Sequence, residues 1–121
     1  QIIEGYDKIK SLNNPMLKLL NKNNISDIGN LFSYHWNIKK QFSNEISNKK
    51  IDNLYNKIKK NKYISGGKLI GAGGGGFFLI STPNKNELIR SLKIEKLNYL
   101  DFNIDNYGSR IIIFDNHLKS L

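Results

Sequence analysis

The chain contains no cysteine, which excludes disulfides and thiolate metal sites. It has no valine, a single alanine (Ala72) and two prolines, so the usual small aliphatic residues are scarce. No apolar run approaches the roughly 18 residues of a membrane-spanning helix. The opening residues QIIEGYDKIK lack the basic start and long apolar stretch of a signal peptide. Acidic residues are also few, with 10 Asp and Glu against 19 Lys and Arg. Together these absences lead to the expectation of a cytoplasmic protein without disulfide or thiolate chemistry.

What is present suffices for a core. In 121 residues, 39% are hydrophobic and the aromatics comprise one Trp, six Tyr and six Phe. That content is too high for a disordered tail, and the length holds one domain rather than two. The net charge of +9 invites a polyanion partner. Yet Lys, Asn and Ile crowd the chain in the way an A/T-rich genome imposes on codons. The lysines are spread from Lys8 to Lys119, with one cluster at Lys57, Lys59, Lys60 and Lys62. A solvated basic surface is favoured over a nucleic-acid face. The chain opens at Gln1, without Met and already in a helical pattern, which leads to the expectation of a fragment or processed piece.

The hydrophobic period changes once along the chain. Ile2, Tyr6 and Ile9 predict a helix over 2–12, stopped by Asn13-Asn14-Pro15. Met16, Leu17, Leu19 and Leu20 predict a second, ending at Asn23-Asn24. Asn24 or Ser26 can cap a longer helix carrying Ile28, Leu31, Phe32, His35, Trp36, Lys39 and Phe42. Asn48 opens a fourth, with Ile51, Leu54, Tyr55 and Ile58 inward. From Gly66 the runs shorten to strand length: Lys68-Leu69-Ile70, then Phe77-Phe78-Leu79-Ile80. Pro83-Asn84 begin a helix with Leu88, Ile89 and Leu92 inward. Residues 98–104 alternate, and 110–114 read as a final strand. The predicted class is α+β: N-terminal helices, then a mainly antiparallel four-stranded sheet with a packed helix. We expect a single domain over 1–121, helical over 1–62 and sheet-bearing over 63–121.

Seven of the ten glycines fall between Gly66 and Gly76. A hairpin needs only about two turn residues, commonly Asn-Gly. Ordering four successive glycines costs on the order of 1–2 kcal/mol each, so a mere connection does not account for them. Backbone without side chains lets several N–H groups converge on an anion. Gly71, Gly73 and Gly76 match GxGxxG, but a dinucleotide fingerprint requires a helix next and FFLIST reads as strand. A Walker loop requires Lys then Ser or Thr, where Phe77-Phe78 stand. Nothing resembles the VAIK, HRD or DFG motifs of protein kinases.

The segment GGKLIGAGGGGFFLI resembles the third signature of the GHMP kinases, a group that includes galactokinase, homoserine kinase and mevalonate kinase. HWNIKKQFSNEISNKKIDNLY and Gly108-Ser109-Arg110 before IIIF are similar to the D-glycero-D-manno-heptose 7-phosphate kinase branch, over roughly residues 25–114. The resemblance implies a C-terminal fragment of a larger kinase that phosphorylates a sugar, at the anomeric hydroxyl of a heptose phosphate. It implies ATP and Mg2+, held mainly by an N-terminal kinase domain that carries a PxxGLGSS loop and an acidic residue. Neither motif occurs in this chain, so the fragment alone is expected to be inactive and to contain no catalytic residue. Gly71, Ala72, Gly73, Gly74, Gly75 and Gly76 would border the γ-phosphate and the acceptor hydroxyl.

Around that loop, Lys68 either faces phosphate oxygens or is an exposed strand lysine. Lys39 and Lys40 either anchor the distal phosphate of a sugar phosphate or form a solvated helix face. Arg110, in a chain where Lys supplies 17 of 19 basic residues, suits bidentate bonding to a substrate phosphate or to Asp101 or Asp105. His35 reads as a half-buried, hydrogen-bonded histidine, and no metal site is expected. Ser109 reads as a turn residue. The expected partners are a sugar or sugar phosphate and the N-terminal domain, with no membrane. Two other functions stay open: a basic α+β module binding nucleic acid, and a regulatory module binding a sugar phosphate.

Overall fold

The computed structural model describes residues 2–103, 105 and 107–109. Its elements run α1 (Ile2–Ser11), α2 (Asn13–Asn21), α3 (Ile25–Lys39), α4 (Lys49–Lys59), β1 (Gly66–Ile70), β2 (Phe77–Ser81) and α5 (Lys85–Ile94). Helices lead and a hairpin follows, as the change of period predicts.

Asparagine side chains start three of the helices. Asn24 accepts from the Asp27 amide at 3.2 Å, Asn84 from the Glu87 amide at 3.2 Å, and Asn48 from both Lys50 and Ile51 at 3.0 and 3.1 Å. Each satisfies amides that have no partner inside the first turn. Pro15 does not stop the chain as the sequence suggests. The helix breaks one step earlier, at Leu12, and Pro15 sits in the first turn of α2, where its missing N–H costs nothing.

β1 and β2 pair antiparallel, with Leu69 opposite Phe78 and Ile70 opposite Phe77. α3 lies along β1. The approach is close enough that a Cβ on Gly29 would stand 2.7 Å from the Gly66 nitrogen. Ser33 Oγ then accepts the Gly67 amide at 3.3 Å, and Ser81 Oγ donates to the Ile25 carbonyl at 2.7 Å. These two serines tie the hairpin to α3.

The core gathers where α3, α4 and the hairpin meet. Trp36 is fully buried, with Ile51, Tyr55 and Leu69 around it and Ile46 and Phe78 at the margin. The Phe78 ring stands perpendicular to Trp36 at 6.2 Å and stacks on Tyr55 at 5.5 Å. Such pairs add about 0.5–1.5 kcal/mol beyond burial. Leu54, expected inward, lies at the rim and is exposed.

Among the described residues the sheet has two antiparallel strands, and the expected four are not shown. Residues 98–103 carry an alternating pattern but form no strand. Tyr99, Leu100 and Phe102 remain exposed there, and Asp101 pairs with Lys85 at 2.8 Å. Alternation specifies a strand only where one face is covered, and nothing described covers this one. The expected strand over 110–114 lies outside the described residues.

Candidate functional site

The glycine loop joins β1 to β2 and projects from the end of the hairpin. Gly71, Gly73, Gly74 and Gly76 have φ of 113°, 117°, 71° and 120°, conformations that side chains resist. Two positions are also sterically closed. A Cβ on Gly73 would stand 2.9 Å from Ile46 Cα, and one on Gly76 would stand 2.5 Å from the Ile70 carbonyl oxygen. At Gly75 a Cβ would meet open space.

The segment between α3 and α4 holds the loop from one side. Gly74 donates its amide to the Ile46 carbonyl at 3.1 Å. Asn48 Nδ2 donates to the Gly74 carbonyl at 3.4 Å, and Lys39 Nζ donates to the Gly71 carbonyl at 2.9 Å. Among the described residues no acceptor takes the amides of Ala72, Gly73 or Gly75. Carbonyls are fastened, while most of the amides stay open.

Lys39, Lys68 and His35 lie within electrostatic range of one another where α3 runs along β1. Lys39 stands in the last turn of α3, one turn beyond His35, and Lys68 rises from β1 with its Nζ 5.2 Å from the centre of the Phe32 ring. Burial, reinforced by the Lys39 charge, pulls the Lys68 pKa below its ordinary value. Burial, then the Lys68 and Lys39 charges, pulls His35 down as well. His35 is half-buried as expected, but its Nδ1 finds no hydrogen-bond partner among the described residues, which corrects the expectation of a bonded ring. The indole Nε1 of Trp36 is likewise without one.

Of the residues singled out from the sequence, Lys39 reaches Gly71, and Lys68 lies on β1 within electrostatic range of Lys39. Lys40, although adjacent to Lys39, turns to Asp52 at 3.6 Å and over the Trp36 ring at 5.8 Å. Ser47 Oγ steadies the same carboxylate at 2.9 Å. Arg110 lies outside the described residues, and Asp101, one of its suggested partners, is engaged by Lys85. Ser109 is exposed. Sequence reasoning missed Ile46 and Asn48 as holders of the loop. Asn48 was legible only as a helix cap, because its second bond reaches 26 residues ahead.

Among the described residues no group of three or more His, Asp or Glu side chains could hold a metal ion. No helix among them is long and apolar enough to cross a membrane. Of the paired hairpin aromatics, Phe78 is packed inward and only Phe77, at 63% exposure, is open. That leaves this hairpin short of the several stacked aromatics by which RNA-binding sheets hold bases.

Helices laid on a hairpin, with a glycine loop pinned at the Gly71 and Gly74 carbonyls, define an α+β domain built around a glycine turn. The family described as GHMP kinases C terminal matches residues 16–96, and the chain belongs to that family. The chain is similar to the bifunctional fucokinase/GDP-fucose pyrophosphorylase of Arabidopsis thaliana, with 30% identity over 89 residues. That match covers 74% of this chain and 8% of the relative, so the chain corresponds to a small part of that protein. No solved structure matches.

Proposed function

We propose that this chain is the C-terminal domain of an ATP-dependent sugar kinase and supplies the phosphate-side wall of its active site. The observation that carries the reading is the glycine loop: three amides without acceptors among the described residues, held in place through carbonyls fastened to α3 and to the cap of α4. Support for a sugar acceptor comes from membership of the kinase family and from the fucokinase named in the relative. The finer reading, carried by the resemblance of residues 25–114, is a heptose 7-phosphate phosphorylated at its anomeric hydroxyl.

ATP supplies the transferred phosphoryl group, and Mg2+ is bound mainly by the N-terminal kinase domain. The γ-phosphoryl passes to the anomeric oxygen, ADP departs, and the hydroxyl proton goes to a base on that other domain. Phosphoryl transfer depends chiefly on positioning and on stabilising charge on the phosphoryl oxygens. Fixed amides from Ala72, Gly73 and Gly75 serve that need without reorganising during the reaction. Because the PxxGLGSS loop is absent from this sequence, the chain turns over only when joined to that domain.

The test is ATP consumption by the full-length protein with a heptose 7-phosphate, with fucose and galactose as neutral comparators. Gly75→Val fills a position with open space around it and no positive φ, so it crowds the loop without opposing the fold. The combined Gly74→Val/Gly75→Val variant adds strain at φ 71°. Both are expected to abolish turnover while the circular dichroism of the Gly75→Val protein stays unchanged. Full activity in the double variant removes the loop from the mechanism.

A further inference from the structure

Lys8, Lys40, Lys57 and Lys85 each have a carboxylate within 4 Å, whereas Lys39 and Lys68 have none among the described residues. The latter pair is half-buried rather than solvated: Lys39 reaches from α3 to the Gly71 carbonyl, and Lys68, on β1 three residues before Gly71, lies over the Phe32 ring near enough to Lys39 for the two charges to repel. The ring of His35 joins them, with Nδ1 unpartnered. Gathering like charges out of water opposes folding unless an anion completes the set.

Donor capacity agrees with that arithmetic. A lysine ammonium has three N–H donors. Lys39 spends one on the Gly71 carbonyl, which fixes where its charge lies, and has two left. Lys68 makes no hydrogen bond to any described residue and rests on the Phe32 ring. Five N–H donors thus stay uncommitted at Gly71 and on the strand that leads into the loop, a number suited to the several acceptor lone pairs of a phosphoryl group and in excess of what a hydroxyl takes.

We propose that Lys39 and Lys68 form a seat for a dianionic phosphoryl group at the β1 end of the glycine loop. This deepens the kinase reading and rests on it for the source of the group: either the phosphomonoester of a sugar phosphate or the terminal phosphate of a nucleotide. Lys40, committed to Asp52, is not part of the seat. The seat makes this chain's ligand an anion at that end of the loop, whichever molecule carries it.

The experiment is calorimetric titration of the full-length protein with inorganic phosphate, then with a hexose 6-phosphate, AMP and ATP as competitors. Lys68→Gln removes a side chain with no hydrogen bond to any described residue, and Lys39→Gln/Lys68→Gln removes both charges. Lys59→Gln/Lys60→Gln removes two exposed charges elsewhere as the control for net charge. Phosphate affinity is expected to fall about tenfold in Lys68→Gln and further in the double variant, with less than about a twofold change in the control. Competition by the hexose phosphate but not by ATP assigns the seat to the acceptor; competition by ATP but not AMP assigns it to the nucleotide. Phosphate binding equally well to the double variant, or not binding the wild type, overturns the seat. Neither result depends on turnover, so a protein that phosphorylates sugars without this dependence sinks the seat and leaves the kinase reading standing. One that binds phosphate here but transfers none does the reverse.

Discussion

Gly75 and Gly76 are neighbours in one loop, yet alanine at the two positions should behave in opposite ways. At Gly76 the backbone holds φ 120°, and an added Cβ would stand 2.5 Å from the Ile70 carbonyl. That carbonyl belongs to the last residue of β1, opposite Phe77, so it cannot move without opening the hairpin. A backbone conformation of this kind costs a side-chain-bearing residue of order 1–3 kcal/mol. With the contact included, we expect Gly76→Ala to cost about 2 kcal/mol, or roughly 6–10 °C in Tm for a domain of this size. At Gly75 nothing stands within 4 Å and φ is not positive. Alanine there restricts the unfolded chain more than it strains the fold, which commonly stabilises by about 0.4–1 kcal/mol. Differential scanning calorimetry of the two variants decides the matter. Equal Tm values would show that the loop relaxes freely around either alanine, and a loop that relaxes freely offers no preorganised amides.

Other perturbations test the supports around the loop. Trp36→Ala empties the one fully buried large side chain among the described residues and should cost about 3–5 kcal/mol by urea denaturation, enough to leave little folded protein. Asn48→Ala removes the cap that accepts from Lys50 and Ile51, a loss of about 1 kcal/mol; it also frees the Gly74 carbonyl, so amide exchange in residues 71–76 should rise more than in α4. For His35 the folded pKa lies below that of the unfolded chain, chiefly through burial and then through Lys68 and Lys39. The unfolded state therefore binds the proton more readily. The contribution of His35 is fully present above about pH 6.5 and is lost as pH falls through the folded value. The urea midpoint of the wild type should drop between pH 7.5 and 5.5 more than that of His35→Gln, and parallel drops would assign the acid sensitivity to other groups.

Local chemistry made much of this fold legible. Asn24, Asn48 and Asn84 are recognisable as helix starts because a short amide side chain meets the need of a first turn wherever it occurs. Ile28, Trp36, Ile51, Tyr55 and Ile58 follow helical spacing into the core. What was not legible depends on distance. Residues 98–103 alternate like a strand, but pairing requires a neighbour that a sequence window cannot supply. Lys39 and Lys40 are equivalent as residue types and one position apart; only the placement of Asp52 and Gly71 sends one into a salt bridge and the other to the loop. The same limit hid Ile46, whose carbonyl takes the Gly74 amide through backbone atoms that any residue possesses.

The polarity of the contacts explains why a run of four glycines can be a site rather than a slack connection. A peptide unit presents its oxygen and its hydrogen in opposite directions, so fastening carbonyls on one side turns the paired amides toward the other. Lys39 and Asn48 contribute donors, and donors can fasten only carbonyls; had Asp or Glu stood at these positions, the amides would have been taken instead and no anion could approach. Lys39 does more than fasten, because two of its N–H groups and its charge remain uncommitted at Gly71. Replacing it by methionine keeps much of the stem and loses both effects. Lys39→Met should therefore raise amide exchange at Ala72 and Gly73 and weaken phosphate binding together, whereas Lys68→Gln should weaken binding with no change in exchange. If Lys39→Met weakened binding but left exchange at the loop untouched, the lysine would serve as a charge alone, and the ordering of the glycine run would have to come from Ile46 and Asn48.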